Sequence, residues 1–300
     1  MGYRLLNVAG RAALLDGPHA PGTGYHDLET VSNGRLGSDP MAALQHLDAL
    51  SELDATLGGR RPTGTFGDAD LGAPVPRPGQ VFGVGLNYRD HAAEGGADVP
   101  ELPLVFTKFP SCISPPDTAV ELRSDHVDYE GELVAVIGRG GREIAATDAW
   151  PHVAGFCVGQ DVSDRAVQFS SRPAQFNLGK SFDTFGPIGP ALVSLDLLDD
   201  PGDLELTTEV NGETRQHGRT AGLIFDVPTL VSYLSHIVEL RPGDLVFTGT
   251  PGGVGMAQGK LLRHGDVVTT TIDGLGSITN RCVRVADHPQ ASRQLDVSRR

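Results

Sequence analysis

The chain has only three cysteines in 300 residues, Cys112, Cys157 and Cys282, and no CxxC pair among them. An odd count without that spacing speaks against a disulfide framework and a zinc knuckle, and fits reduced thiols. Positive charge is also scarce, with 24 Lys and Arg against 38 Asp and Glu and a formal net charge of -14. Nucleic acid and anionic membrane surfaces both need a basic footprint, so neither is expected as a partner. No apolar run approaches the length of a membrane span. The start, Met1-Gly-Tyr-Arg-Leu-Leu-Asn-Val-Ala, has no basic segment leading into a long apolar one, so the cytoplasm is the expected compartment. What the chain does have is Gly (39) and Pro (21), which suits a turn-rich β protein better than a helical bundle.

The expected fold class is therefore α+β and β-rich. Residues 3–8 and 12–15 read as two short strands around Gly10. Asp39-Pro40 starts a helix with a cap and a first-turn proline, carries Met41, Leu44, Leu47 and Leu50 at three-residue spacing, and stops at Gly58-Gly59. A Pro/Gly-rich link follows. The expected division is a small N-terminal α/β unit with its linker over 1–75, a main domain over 76–290, and a loose polar tail over 291–300. Strands are expected over 81–85, 104–108, 128–138, 153–161, 245–250, 267–272 and 278–283. Asn211-Gly212 marks a hairpin between 204–210 and the residues from Thr214 onward. Asp226-Val-Pro caps a second helix with Leu230, Leu234 and Ile237 on one face, and Trp150 reads as packing.

One stretch organises the rest: Asp128-Tyr-Glu-Gly-Glu-Leu-Val-Ala-Val-Ile-Gly138. Side chains alternate along a strand, so Glu130 and Glu132 point the same way with Gly131 between them. Two like charges beside a buried apolar run call for a cation. Asp161, at the end of the next strand, is the natural third ligand. Three carboxylates suit Mg²⁺, Mn²⁺ or Ca²⁺. The alternative is a set of surface carboxylates on a strand edge. His91 and Glu94, three apart on a helical turn before Gly95-Gly96, fit a carboxylate-oriented base on a lid, or a solvated pair. Ala174-Gln-Phe-Asn-Leu-Gly-Lys-Ser181 nearly matches a phosphate loop but lacks its first glycine, so Lys180 reads better as a point charge near the metal. Arg165 and Gln168 are candidate contacts for a substrate carboxylate, or solvated helix residues. The loop Gly249-Thr-Pro-Gly-Gly-Val-Gly255 offers N–H groups to an anion.

Five ordered motifs carry a resemblance: Gly85-Leu-Asn-Tyr-Arg-Asp-His-Ala-Ala-Glu94, Asp128-Tyr-Glu-Gly-Glu132, Gly159-Gln-Asp-Val-Ser-Asp-Arg165, Gly179-Lys-Ser-Phe-Asp-Thr-Phe-Gly-Pro187 and Thr248-Gly-Thr-Pro-Gly-Gly-Val-Gly255. Together, from about Val81 to Val283, the chain resembles the fumarylacetoacetate hydrolase family. The resemblance implies a mixed β-roll or sandwich with few helices and a homodimer. It implies Mg²⁺ or Mn²⁺ on Glu130, Glu132 and Asp161, a water-activating pair His91 and Glu94, and substrate contacts from Lys180, Thr250 and Tyr88. The hydrolase that names the family has a larger N-terminal domain with a further acidic ligand, which has no counterpart before Gly79. The chain is more similar to the shorter bacterial members. The expected reaction is hydrolysis of the C3–C4 bond of a 2,4-dioxo acid of acylpyruvate type. Oxaloacetate decarboxylation and dienedioate isomerisation are alternatives on the same enolate chemistry. A protein that binds metal and oxo acid without turnover is the reading from another class.

Overall fold

A computed structural model describes residues 2–285 except Asp16, Pro18, Pro21 and Ala97, so the tail expected over 291–300 lies outside the described residues. The fold is α+β and β-rich. Among the described residues a mixed twelve-stranded sheet runs, from one edge, through Gly64–Thr65, Gly24–Asp27, Arg11–Leu15, Arg4–Val8, Gly186–Val193, Val153–Gln160, Gly131–Ile137, Leu245–Phe247, Val81–Gly85 and Leu104–Thr107, with Leu71–Gly72 paired to Arg4–Val8 and Ile113–Ser114 to Gly186–Val193 off that path. A five-stranded sheet holds Glu213–Arg219, Glu205–Val210, Val267–Ile272, Gly276–Arg284 and Val120–Leu122. Asn211 and Gly212 both take positive φ, as a two-residue hairpin turn requires. Among the described residues the longest helix is Val227–Ile237, whose first turn is capped by the Asp226 carboxylate on the Thr229 N–H. No helix there is long and apolar enough to cross a membrane. All three cysteines are free and buried.

The strand Gly131–Ile137 is buried along its whole length, and its two faces feed two cores. Leu133, Ala135 and Ile137 pack with Leu206, Ile272 and Ile278 of the smaller sheet. Val134 and Val136 pack with Leu44, Leu50 and Leu53 from the N-terminal helices. Gly131 continues the first face: a side chain there would meet Thr208 Oγ1 at 2.1 Å and Thr270 Cγ2 at 3.0 Å. Glycine at this position lets the two sheets close up where the carboxylates stand on the opposite face.

Several expectations shift. The N-terminal hairpin pairs with the main sheet, Arg4 with Val193 and Leu5 with Leu192, so the sheet crosses the expected division at 75/76. The helix expected from Pro40 to Gly58 is two, Pro40–Ala43 and Leu47–Asp54. Three-residue spacing slips by about 60° per step on a helix of 3.6 residues per turn, so Met41 and Leu50 cannot share one continuous face. The break at His46, with φ -133°, re-phases them. The expected 128–138 strand begins at Gly131, while Val127–Asp128 pairs separately with Ser163–Asp164. The strand expected to Thr250 ends at Phe247, because the chain turns there into the glycine loop. Leu230 and Leu234 are buried, but Ile237, in the last turn, is 61 % exposed. The strand Gly24–Asp27 and the turn of helix Leu28–Val31 were not expected.

Gly131→Ala is expected to destabilise the protein by about 1–3 kcal/mol in chemical denaturation, the usual scale of overpacking. Thr208→Ala in the same chain should recover part of that loss; no coupling between the two substitutions would show that the sheets do not meet at Gly131.

Candidate active site

Pairing of Gly131 with Gln160 brings the ends of two neighbouring strands level. Asp161 N–H donates to the Glu130 carbonyl at 2.8 Å, and the Gln160 side-chain oxygen accepts from Glu130 N–H at 3.0 Å. Carboxylate oxygens of Glu130, Glu132 and Asp161 consequently lie within 4.8 Å of one another, with all three residues buried. The surface-carboxylate alternative does not hold.

Three buried cations face this group. Lys180 Nζ donates to Glu130 at 2.6 Å, Asp161 at 2.7 Å and Ser163 Oγ at 2.8 Å. Lys108 Nζ donates to the other Asp161 oxygen at 2.6 Å, to the Phe185 carbonyl at 3.0 Å and to the Lys180 carbonyl. Arg165 Nη2 bridges Glu130 at 2.6 Å and Asp128 at 2.7 Å, and its Nη1 donates to Gln168 at 2.9 Å. Burial alone would raise the Glu130 carboxyl, but Lys180 and Arg165 hold it well below the usual carboxylate range. Burial lowers the Lys180 ammonium, and Asp161 and Glu130 more than reverse that. Glu132 differs. It accepts Gly249 N–H at 2.8 Å and, among the described residues, forms no ion pair. Burial, then Asp161 and Glu130, push its carboxyl well above the ordinary value. An all-oxygen donor set with one uncompensated carboxyl fits a hard divalent cation such as Mg²⁺, Mn²⁺ or Ca²⁺.

His91 and Glu94 lie on the short helix Arg89–Glu94, with Tyr88 at its N-cap. His91 is close enough to Glu130 to favour its charged form. Its Nδ1 is buried without a hydrogen bond and lies 3.8 Å from Glu94 Oε2. That same Glu94 oxygen accepts Gly253 N–H at 2.9 Å. Tyr88 is buried and, among the described residues, its hydroxyl has no hydrogen-bond partner. Burial, then the charge of Glu132, raises that phenol. Thr250 Oγ1 donates to the Gly131 carbonyl at 2.8 Å and accepts from Gln216 at 2.7 Å.

The structure thus gathers Glu130, Glu132, Asp161, Lys180, Arg165 and Gln168 into one cluster and rules out the solvated-helix alternative for Arg165 and Gln168, both of which are buried. The loop from Gly249 to Gly255 does present N–H groups to anions, but here the anions are the protein's own. Gly249 serves Glu132, Gly253 serves Glu94, and Gly255 and Met256 serve Asp128 at 2.7 and 3.0 Å. Lys108, Asp128, Ser163 and Gln216 were missed. Asp128 shares a strand parity with Glu130, and Lys108 closes the apolar run Leu104-Val-Phe-Thr107, so both left a weak signal. Gln216 left none: its role comes from pairing opposite Thr208, across the sheet interface from Gly131.

The model of the family described as "Fumarylacetoacetate (FAA) hydrolase C-terminal" matches residues 80–283. The chain belongs to the fumarylacetoacetate hydrolase family. Within it, the chain is 41 % identical over 288 residues to "Oxaloacetate tautomerase FAHD2A, mitochondrial" of Homo sapiens, covering 91 % of this chain and 90 % of that protein. It is 49 % identical to a Mycobacterium smegmatis protein provisionally called HpcE, with a TM-score of 0.88 over 94 % of this chain and all of that one. The maleylpyruvate hydrolase of Sphingobium sp. SYK-6, solved with manganese(II) and pyruvate, is 26 % identical with a TM-score of 0.75, over 94 % of this chain and all of that one. Membership in the fumarylacetoacetate hydrolase family accords with the acidic cluster and makes an oxo-acid enzyme with a divalent metal a physically coherent assignment.

A carboxyl raised on folding makes the protein bind more protons than the unfolded chain, so metal-free stability should fall as pH rises from the ordinary Glu value toward the folded one. Divalent cation should flatten that slope. Metal-free Glu132→Gln should melt above the metal-free parent, by about 2–4 °C per kcal/mol of repulsion removed, and gain little from added Mg²⁺. A lower melting temperature with Mg²⁺ stabilisation intact would contradict this account of Glu132.

Proposed function

We propose that the protein forms and reprotonates the enolate of a small 2-oxo acid, and that its leading reaction is keto–enol tautomerisation of a 2-oxo dicarboxylate such as oxaloacetate. The observation that carries the enolate chemistry is the buried Glu130, Glu132 and Asp161 cluster with Lys180 at its side and His91 close by. A divalent ion held by the three carboxylates would polarise the 2-oxo group and lower the energy of negative charge on its oxygen. His91 removes a proton from C3, the C–H pair becomes the C2=C3 bond, and the carbonyl pair moves to oxygen. Returning the proton to that oxygen gives the enol, and the reverse sequence gives the ketone. Lys180 contributes fixed positive charge beside the developing oxyanion. All three of its N–H donors are already engaged, so it acts by charge in this arrangement. Arg165 holds Glu130 and Asp128 in register, and Tyr88, Gln168 and Thr250 complete the proposed substrate wall.

Tautomerisation needs one proton carrier and no activated water. That matches Glu94, whose oxygen is hydrogen-bonded to Gly253 and stands 3.8 Å from His91. The relatives that share about two residues in five over nine-tenths of the chain include the human oxaloacetate tautomerase. A second reading is the hydrolytic cleavage of a 2,4-dioxo acid expected from the sequence. The i,i+3 placement of Glu94 beside His91 favours it, as does the likeness to a maleylpyruvate hydrolase.

His91→Ala should cut either activity by about 10²–10⁴-fold, the scale of general acid–base catalysis. Glu94→Gln keeps an acceptor for Gly253 but loses the carboxylate; it should alter tautomerisation less than about tenfold while suppressing hydrolysis more strongly. Both follow from the enol absorbance of oxaloacetate and of an acylpyruvate. EDTA should abolish turnover and Mg²⁺ or Mn²⁺ restore it; full activity after chelation would refute the scheme.

The homodimer is also proposed. Leu104, Phe109, Phe169 and Leu178 expose 43–65 % of their surface around the edge strand Leu104–Thr107 and the two short helices beside it, where Phe109 N–H meets Ser181. A second copy would cover this apolar patch. Leu178→Glu should then shift sedimentation from dimer to monomer, whereas an unchanged sedimentation coefficient would place the interface elsewhere.

A further inference from the structure

The glycine loop has a feature that metal binding and proton transfer leave unused. The Gly253 backbone is gripped from both sides. Its carbonyl accepts the Tyr129 hydroxyl at 3.0 Å and the Gln258 side-chain amide at 2.9 Å. Its N–H donates to Glu94 Oε2 at 2.9 Å, and that oxygen lies 3.8 Å from His91 Nδ1. Gly253 takes φ +103°, and a side chain on it would stand 2.0 Å from the Arg215 carbonyl. Gly252 lies against the same helix, where a side chain would meet the Asp90 carboxylate at 3.3 Å. Two successive glycines therefore let the His91 helix sit directly on the loop backbone.

We infer that the Gly253 backbone positions the His91 helix, and that Tyr129 and Gln258 act through it to hold Glu94 beside His91. A peptide plane is rigid, so fixing its carbonyl fixes the direction of the next N–H in the loop. The Val254 N–H follows the Gly253 carbonyl, whereas the Gly253 N–H belongs to the preceding plane; the two planes meet at the Gly253 Cα. Pinning one plane therefore restricts the other through the φ and ψ of a residue that the Arg215 backbone already confines. Without those two donors only the Arg215 backbone restrains Gly253, so its N–H can turn off Glu94 and the helix loses its hydrogen-bonded tie to the loop. Tyr129 and Gln258 are positioning residues: neither is assigned a contact with substrate. Tyr129 comes from the strand end that bears the metal-site carboxylates, so one segment supplies ligands on one side and the lid anchor on the other.

The test uses the full chain with saturating Mg²⁺ and compares Gln258→Ala, Tyr129→Phe, their combination and Glu94→Ala. Amide hydrogen exchange over residues 89–95 should rise several-fold in the combined variant and to a similar level in Glu94→Ala. Adding Glu94→Ala to the combined variant should bring no further rise, because all three changes cut one chain of contacts. Glu94→Gln, which retains an acceptor, should keep the helix protected. Mg²⁺ affinity by calorimetry should be unchanged. In turnover, the combined variant should lose about tenfold in kcat with KM little altered, non-additively with Glu94→Ala. Unchanged exchange over 89–95, or exchange effects that add to those of Glu94→Ala, would overturn the inference. Gln258 is exposed, so its alanine variant keeps the test open if Tyr129→Phe folds poorly. The kinetic arm rests on the enolate chemistry proposed above and the exchange arm does not, so absence of oxo-acid turnover in the parent would defeat that proposal alone.

Discussion

Burying four carboxylates against three cations is the constraint on which the rest of this structure depends. Asp128, Glu130, Glu132 and Asp161 face Lys108, Arg165 and Lys180, all nearly inaccessible to water. Unpaired buried charge costs several kcal/mol, so the arrangement survives only because partners are apportioned oxygen by oxygen. Asp161 receives one lysine on each oxygen, and Glu130 receives Lys180 on one and Arg165 on the other. Asp128 takes Arg165 and three backbone N–H groups, those of Tyr129, Gly255 and Met256. The shortfall is concentrated on Glu132. With Glu132 ionised, the seven groups carry one negative charge in excess, which a divalent ion would turn into one positive charge facing an anionic substrate.

The fold delivers this balance through backbone geometry more than through side-chain choice. Strand alternation puts the carboxylates on one face and Gly131 on the other, where Thr208 and Thr270 of the smaller sheet approach too closely for any side chain. Gln216 and Thr250 seal the same seam: Gln216 accepts Gly131 N–H at 2.9 Å, and Thr250 donates to the Gly131 carbonyl. The glycine loop then ties the seam to the His91 helix. Its first N–H is on Glu132, its last on Asp128, and the one between on Glu94. Carboxylate cluster, sheet interface and His91 helix share one run of backbone.

What the sequence disclosed follows from how local each signal is. Glu130 and Glu132 were legible because parity along a strand is a property of neighbours, and Asp161 because it ends the next apolar run. The Asn211-Gly212 hairpin and the Asp226 cap were legible for the same reason. Lys108 was not. Its role as the second cation on Asp161 requires a strand at the sheet edge to lie beside the end of Val153–Gln160, and no local pattern states that adjacency. Residues 3–15 showed their hairpin but not their place, since pairing of Arg4 with Val193 spans most of the chain. The evenly spaced leucines after Pro40 misled because a step of three is close to a helical turn without equalling it. The glycine loop was read correctly as an anion cradle, yet its anions turned out to be internal.

In the proposed scheme tautomerisation and hydrolysis share the same enolate, whose oxygen the carboxylate cluster with Lys180 would address. What separates tautomerisation from hydrolysis is whether a water is activated, and that falls to His91 and Glu94. The Glu94 carboxylate is divided between two demands: orienting His91, and accepting the N–H that anchors its helix. With that oxygen on Gly253, His91 Nδ1 has no hydrogen bond among the described residues, as the proposed role of lone proton carrier requires. A shift of roughly 1 Å, from 3.8 Å to hydrogen-bonding range, would convert the same pair into a carboxylate-backed base. Under the proposed scheme the choice of reaction would rest on the setting of a helix against two glycines and not on the composition of the site, which accords with oxo-acid tautomerase and hydrolase names both occurring among this chain's relatives.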